Sequence, residues 1–228
     1  MKRCKAIALV ISFALSLFVF SACRSNHTMS VGEVIEFGVY EQDNDLSNGS
    51  ESIEWIVLAV EEGRALLISK YALDSQYYFR EWYDITWESC TLRKWLNGTF
   101  FNDAFNAEEQ GRILDSAVTA DENPSYDTPP GNDTTDKVFL LSITEVNKYF
   151  TSDEEKKCAA TEYAKVRGAV AEGKFTADGL PTCWWWLRSP GKEPCSAAFI
   201  RVDGAANYDG LDVSIAFGAV RPALWIVI

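Results

Sequence analysis

The chain has 228 residues, 33 acidic against 21 basic side chains, a formal net charge of −12 and a single histidine. That excess of negative charge repels phosphate backbones, and no run of Lys and Arg offsets it, so nucleic acid is excluded as a partner. Because His27 is the only imidazole, Ser-His-Asp and Cys-His catalysis lack a base and His-ligated metal sites lack their ligand.

Lys2, Arg3 and Lys5 open the chain, and 6–20 is almost wholly apolar but short for a membrane span. The run closes on Phe20-Ser21-Ala22-Cys23, which resembles the lipobox of bacterial lipoproteins, with Phe20 where Leu is usual. The expected organisation is a lipoprotein signal peptide over 1–22, a flexible tether over 23–30 and one domain over 31–228. Cys23 would be the lipidated residue, holding the domain on the outer face of the cell membrane. Removing the three signal cations takes the charge from −12 to −15.

The span 34–40 reads as a strand, and 53–60 with 64–71 reads as a hairpin turning at Glu61-Glu62-Gly63. The acidic, Asn/Ser/Gly-rich span 42–52 reads as a surface loop. A helix is predicted over 91–96, stopped by Asn97-Gly98, with short helical pieces over 100–105 and 108–114. A long loop over 119–136 leads to an apolar strand over 138–141. Ser142-Ile143-Thr144-Glu145 has the spacing of a capping box, repeated by Ser152 and Glu155, and 161–167 is predicted helical before a Gly-rich loop. Strands are predicted over 183–188, 197–202 and 219–228, joined by a Gly, Asn, Asp and Tyr-rich loop over 203–218.

Three consecutive tryptophans need a partner surface. In a strand, Trp184 and Trp186 face one side while Trp185 and Leu187 face the other, which describes an interior strand covered on both faces. Arg188 and Arg221 each end an apolar run just before a proline. Arginine is rarely buried alone, so both are expected to clamp strand ends through carboxylates or carbonyls. Trp184, Trp186, Arg188 and Arg221 are therefore assigned structural roles.

"WWWLRSPG", "AAFIRVDG" and "AVRPALWIVI", with "IEWIVL", "ALLISKYALD", "TWESCTLRKWLN" and "GNDTTDKVFLLS" upstream, resemble a family of secreted bacterial domains of unknown function, common in Gram-positive gut bacteria. The resemblance runs from about Val31 to Ile228 and implies no activity. A Trp-rich strand, an arginine, a polar loop and Val-Arg-Pro-Ala-Leu near the end also resemble the C-type-lectin-like fold, in the branch of formylglycine-generating enzymes and retroelement variable proteins. Val220 stands where that branch has an aromatic. This likeness implies an α+β fold, C-type-lectin-like and mixed, with small antiparallel sheets, several short helices and termini that meet.

The chemistry candidates are few. Cys90, Cys158, Cys183 and Cys195 allow three disulfide pairings, which sequence does not separate. The formylglycine-generating branch holds copper on two cysteines; Cys183 and Cys195 are the candidates here, at a different spacing. No cofactor is required by any motif, and calcium is the one left open, through Asn132, Asp133 and Asp136 of "GNDTTD". Two aromatic groups fall outside the predicted core strands: Tyr77-Tyr78-Phe79 with Trp82-Tyr83, and Tyr208 between Asn207 and Asp209. Tyr mixed with Asn and Asp suits adaptable recognition, so Asn207, Tyr208, Asp209 and Asp212 are the expected ligand-binding residues. The function expected is a non-enzymatic, lipid-anchored module for a glycan or protein ligand. The alternative is a divergent formylglycine-generating-type or carboxylate-dependent enzyme.

Overall fold

A computed structural model describes residues 28–228; the predicted signal segment, Cys23 and His27 lie outside the described residues. The chain forms an α+β domain of small, mainly antiparallel sheets and short helices. No helix among the described residues is long and apolar enough to cross a membrane.

Strand β1 (Val34–Tyr40) pairs antiparallel with β2 (Glu51–Glu61), which turns through Gly63 at φ 72° into β3 (Arg64–Ser69). The last strand, β14 (Ala223–Val227), closes this four-stranded sheet against β3. Short β4 (Asp74–Ser75) belongs to a second sheet.

The helix α1 (Thr91–Trp95) does not stop at Asn97-Gly98. It continues through a π turn (Leu96–Phe100) into α2 (Phe101–Ala104). Leu96, Phe100, Phe101 and Ala104 are all buried, and their burial outweighs the weak helix propensity of Asn and Gly. The Asn97 amide also has work inside the turn. Its Nδ2 donates to the carbonyls of Arg93 and Val138, and its Oδ1 accepts the N–H groups of Lys137 and Val138. Asn97 thus satisfies the backbone at the start of a buried segment that joins no sheet as a strand. The predicted strand over 138–141 is accordingly a buried extended stretch with one bridge, Phe139 to Ala223.

Helix α3 (Ala107–Arg112) is capped by Asn106, and β5 (Ser116–Val118) pairs with β6 (Thr134–Asp136) across the long loop. Both Ser-led caps form: Ser142 opens α4 (Ile143–Tyr149) with a reciprocal bond to Glu145, and Ser152 opens α5 (Asp153–Lys156). Beyond β7 (Cys158–Ala159) and α6 (Glu162–Arg167), the predicted Gly-rich loop is instead a hairpin, β8 (Ala171–Ala177) and β9 (Leu180–Cys183). Its turn is Asp178-Gly179, both with positive φ, the chemistry of a tight two-residue hairpin.

The tryptophan run straddles two strands. β9 ends at Cys183 and β10 (Trp185–Pro190) begins after Trp184. Trp185 and Trp186 are fully buried, whereas half-buried Trp184 stands edge-on to Trp186 at 4.9 Å and 88°. β10 pairs antiparallel with β11 (Ser196–Ile200) and parallel with β13 (Ala219–Val220). The predicted single strand over 219–228 breaks at Arg221-Pro222, where the chain crosses from the five-stranded sheet to β14. Proline cannot donate a ladder bond, so the break falls there.

Candidate functional site

The segment expected as a recognition loop is largely a strand. β12 (Ala206–Asp212) pairs with β11 at the edge of the five-stranded sheet, in the order β12-β11-β10-β13-β4. A strand here follows from Ala197↔Leu211 and Ile200↔Ala206 pairing, which places its apolar residues against the core. Asn207 Oδ1 accepts the Gly210 N–H at 2.9 Å, and Asp212 Oδ1 accepts the N–H and hydroxyl of Ser214. Both therefore shape the local backbone. Tyr208 and Asp209 reach across to other elements. The Tyr208 hydroxyl accepts from Asn147 Nδ2 on α4 at 3.1 Å, and its carbonyl accepts from Asn123 at 2.8 Å. Exposed Asp209 accepts from the Tyr126 hydroxyl, and this bond raises the Tyr126 pKa.

The other aromatic group divides by burial. Tyr78 is core: its hydroxyl donates to the Arg188 carbonyl at 2.9 Å and its ring meets Trp186 edge-on. Trp82 and Tyr83 are 72% and 67% exposed. Their loop is tied at both ends beside β12. Phe79 N–H donates to Val213, which follows Asp212, and Ile85 N–H donates to Pro194, in the turn before β11. The tertiary structure thus ties the Trp82-Tyr83 loop to the Asp212 end of β12, the strand that carries Tyr208.

Both singled-out arginines are buried. Arg188 donates to the carbonyls of Leu140 and Thr119 and pairs with Glu145 and Asp121. Arg221 has no carboxylate partner among the described residues. It donates to Ser69 and Lys156 carbonyls and lies over the rings of Trp185 and Phe150. It also borders a cleft of about 480 Å³ whose Lys70 and Lys157 are already paired with Asp178 and Glu154.

Cys158 and Cys183 are direct cross-strand partners on β7 and β9, both fully buried. The hydrogen bond to Cys158 and burial hold Cys183 above the usual thiol range. Burial opposes ionisation of Cys158 too, but the Cys183 hydrogen bond and the Arg221 charge outweigh it and lower that pKa. Cys195 lies apart, in the turn before β11. Cys90 caps α1 by accepting from Arg93 N–H, and burial pushes its thiol up to about 12.

In the "GNDTTD" segment, both oxygens of buried Asp136 already have protein partners: Arg93, Trp87 and Thr134. Asp133 accepts from the Ala120 N–H, and Asn132 donates to Glu88. A closer set of carboxylates, Glu41, Asp43 and Glu51, was missed in the sequence, where Asp43 and Glu51 lay inside the 42–52 span read as surface loop and Glu41 just before it.

Small, mainly antiparallel sheets and short capped helices define an α+β domain, with exposed Trp82 and Tyr83 on a loop tied beside its edge strand β12. Residues 62–228 match the family model described as Domain of unknown function (DUF6273), and the chain belongs to that family. The match begins inside the β2–β3 turn, so β1 and β2 complete the first sheet from outside it, and "IEWIVL" lies upstream of the matched residues. No curated protein and no solved structure matches the chain.

Proposed function

We propose that this chain is a binding module for a glycan, carried outside the cell on a lipid at Cys23, and that it does no covalent chemistry. The observation that supports it is the pair Trp82 and Tyr83, held 72% and 67% exposed on a loop anchored beside β12. Aromatic rings left in water at that extent forgo the burial of a large apolar area, and a sugar ring stacked on them recovers it. Tyr126, Tyr208, Asn147 and Asp209 supply hydroxyl, amide and carboxylate groups for the polar rim of such a ligand. The C-type-lectin-like character of the fold belongs to this reading; the first and last strands share one sheet, as its two opposite edges.

The test is a glycan array and a cell-wall pull-down with the purified protein, then with Trp82→Ala, Tyr83→Ala and Tyr208→Ala. Binding should fall at least about tenfold in the Trp82 variant, with the melting temperature unchanged because the side chain is exposed. Glycan binding that survives all three substitutions would place the site elsewhere. A blank array beside capture of a defined envelope protein would replace the glycan with a protein ligand. Membrane-fraction retention that is lost in Cys23→Ser checks the anchor.

A further inference from the structure

Between β1 and β2 the chain makes a polar excursion, Glu41 to Glu51, that brings three carboxylates together. Oxygens of Glu41, Asp43 and Glu51 all lie within 4.8 Å of one another. Like charges at that distance repel, and each should find a cation or turn away. Asp43 and Glu51 are partly compensated. Asp43 accepts from the Asp45 N–H at 2.7 Å and Asn48 Nδ2 at 2.8 Å, and Glu51 accepts from the Gln42 N–H at 2.7 Å. Glu41 is not. It is only 9% exposed, and its Oε1 is buried without any hydrogen-bond partner, alone in this respect among the described residues. Burial and the Glu51 carboxylate both raise its pKa. Among the described residues, no lysine or arginine is paired with any of the three.

We propose that Glu41, Asp43 and Glu51 bind a calcium ion. The donors are all hard carboxylate oxygens, with no His or Cys among them, which selects calcium over zinc or copper. The excursion is Asn, Ser and Gly-rich, with Asn44 and Gly49 at positive φ, so its carbonyls and solvent can fill the six to eight positions calcium needs. A bound dication supplies the partner Glu41 Oε1 lacks and removes the repulsion. It would pin the β1–β2 connection, not the aromatic loop, so this inference stands whether or not a glycan binds.

The test uses the full chain after chelator treatment, titrated with calcium chloride by calorimetry and followed by thermal melting. One ion per chain is expected, with Kd about 10⁻⁵ to 10⁻³ M. At about a hundredfold over Kd the melting temperature should rise by about 5–10 °C. Glu41→Gln should weaken binding at least about tenfold and raise the melting temperature of the calcium-free protein, because it relieves the repulsion. Asp43→Asn provides an independent second variant, and Asp133→Asn should leave the affinity unchanged. No saturable calcium binding at about 10 mM would overturn the site. So would binding that survives both Glu41→Gln and Asp43→Asn, or that Asp133→Asn abolishes.

Discussion

Arg188→Met tests what holds the Trp-Arg strand in place. The guanidinium is 2% exposed and serves four partners: the Leu140 and Thr119 carbonyls, Glu145 and Asp121. Methionine fills most of the volume but supplies no donor. The buried Leu140 carbonyl then loses this partner, at about 1–3 kcal/mol, while the carbonyl of exposed Thr119 can turn to water. Glu145 and Asp121 lose a cation, but they are 24% and 21% exposed, so water recovers part of that loss. Glu145 also keeps its bond from the Ser142 N–H at the start of α4. The net cost should therefore sit toward the lower end of the range for breaking a buried ion pair, about 3–4 kcal/mol. For a domain of this size that lowers the melting temperature by about 6–16 °C. Arg188→Lys should recover only part of it, since one ammonium cannot span carbonyls and carboxylates on separate segments. Differential scanning calorimetry reads the shift. A Met variant melting within about 2 °C of the parent would refute the clamp and point to a ligand contact at Arg188.

Two further predictions follow from close packing and from register. Gly218→Ala would put a Cβ 1.6 Å from Nε1 of Trp186, a fully buried ring whose N–H bonds the Gln76 carbonyl; a loss of about 3 kcal/mol is expected in urea denaturation, and an unchanged midpoint would show that the ring can yield. Cys158 and Cys183, opposed across β7 and β9, should lose two protons and two electrons to oxidised glutathione and join as one disulfide; peptide mapping that finds Cys90 or Cys195 in the bridge would contradict the register.

Much of the domain was legible locally. The hairpin β2–β3 showed in two β-branched runs around Glu62-Gly63, and both Ser-led helix starts showed in their spacing, because caps and tight turns are made by neighbours in sequence. Two of the errors share one cause. Asn97-Gly98 read as a stop because the partner of the Asn97 amide, at 137 and 138, lies forty residues away. β12 read as a loop because its composition is turn-like, while the strand exists through pairing with β11. The Asp178-Gly179 hairpin did carry a local sign and was overlooked.

The candidate site shows the same division. Sequence alone determined its raw material: clustered aromatics, Asn and Asp, an acidic charge, and the lack of any histidine within 31–228. It also pointed to core positions for the tryptophan run, which hold for Trp185 and Trp186, since so much apolar surface on alternating faces needs cover from both sides. Only the tertiary structure decided that Tyr78 is buried while Trp82 is displayed, that Cys158 faces Cys183, and that Oε1 of Glu41 is left without a hydrogen-bond partner among carboxylates. Those outcomes depend on which distant segments close over each side chain, and burial and long-range pairing are properties of the packed chain, not of any window within it.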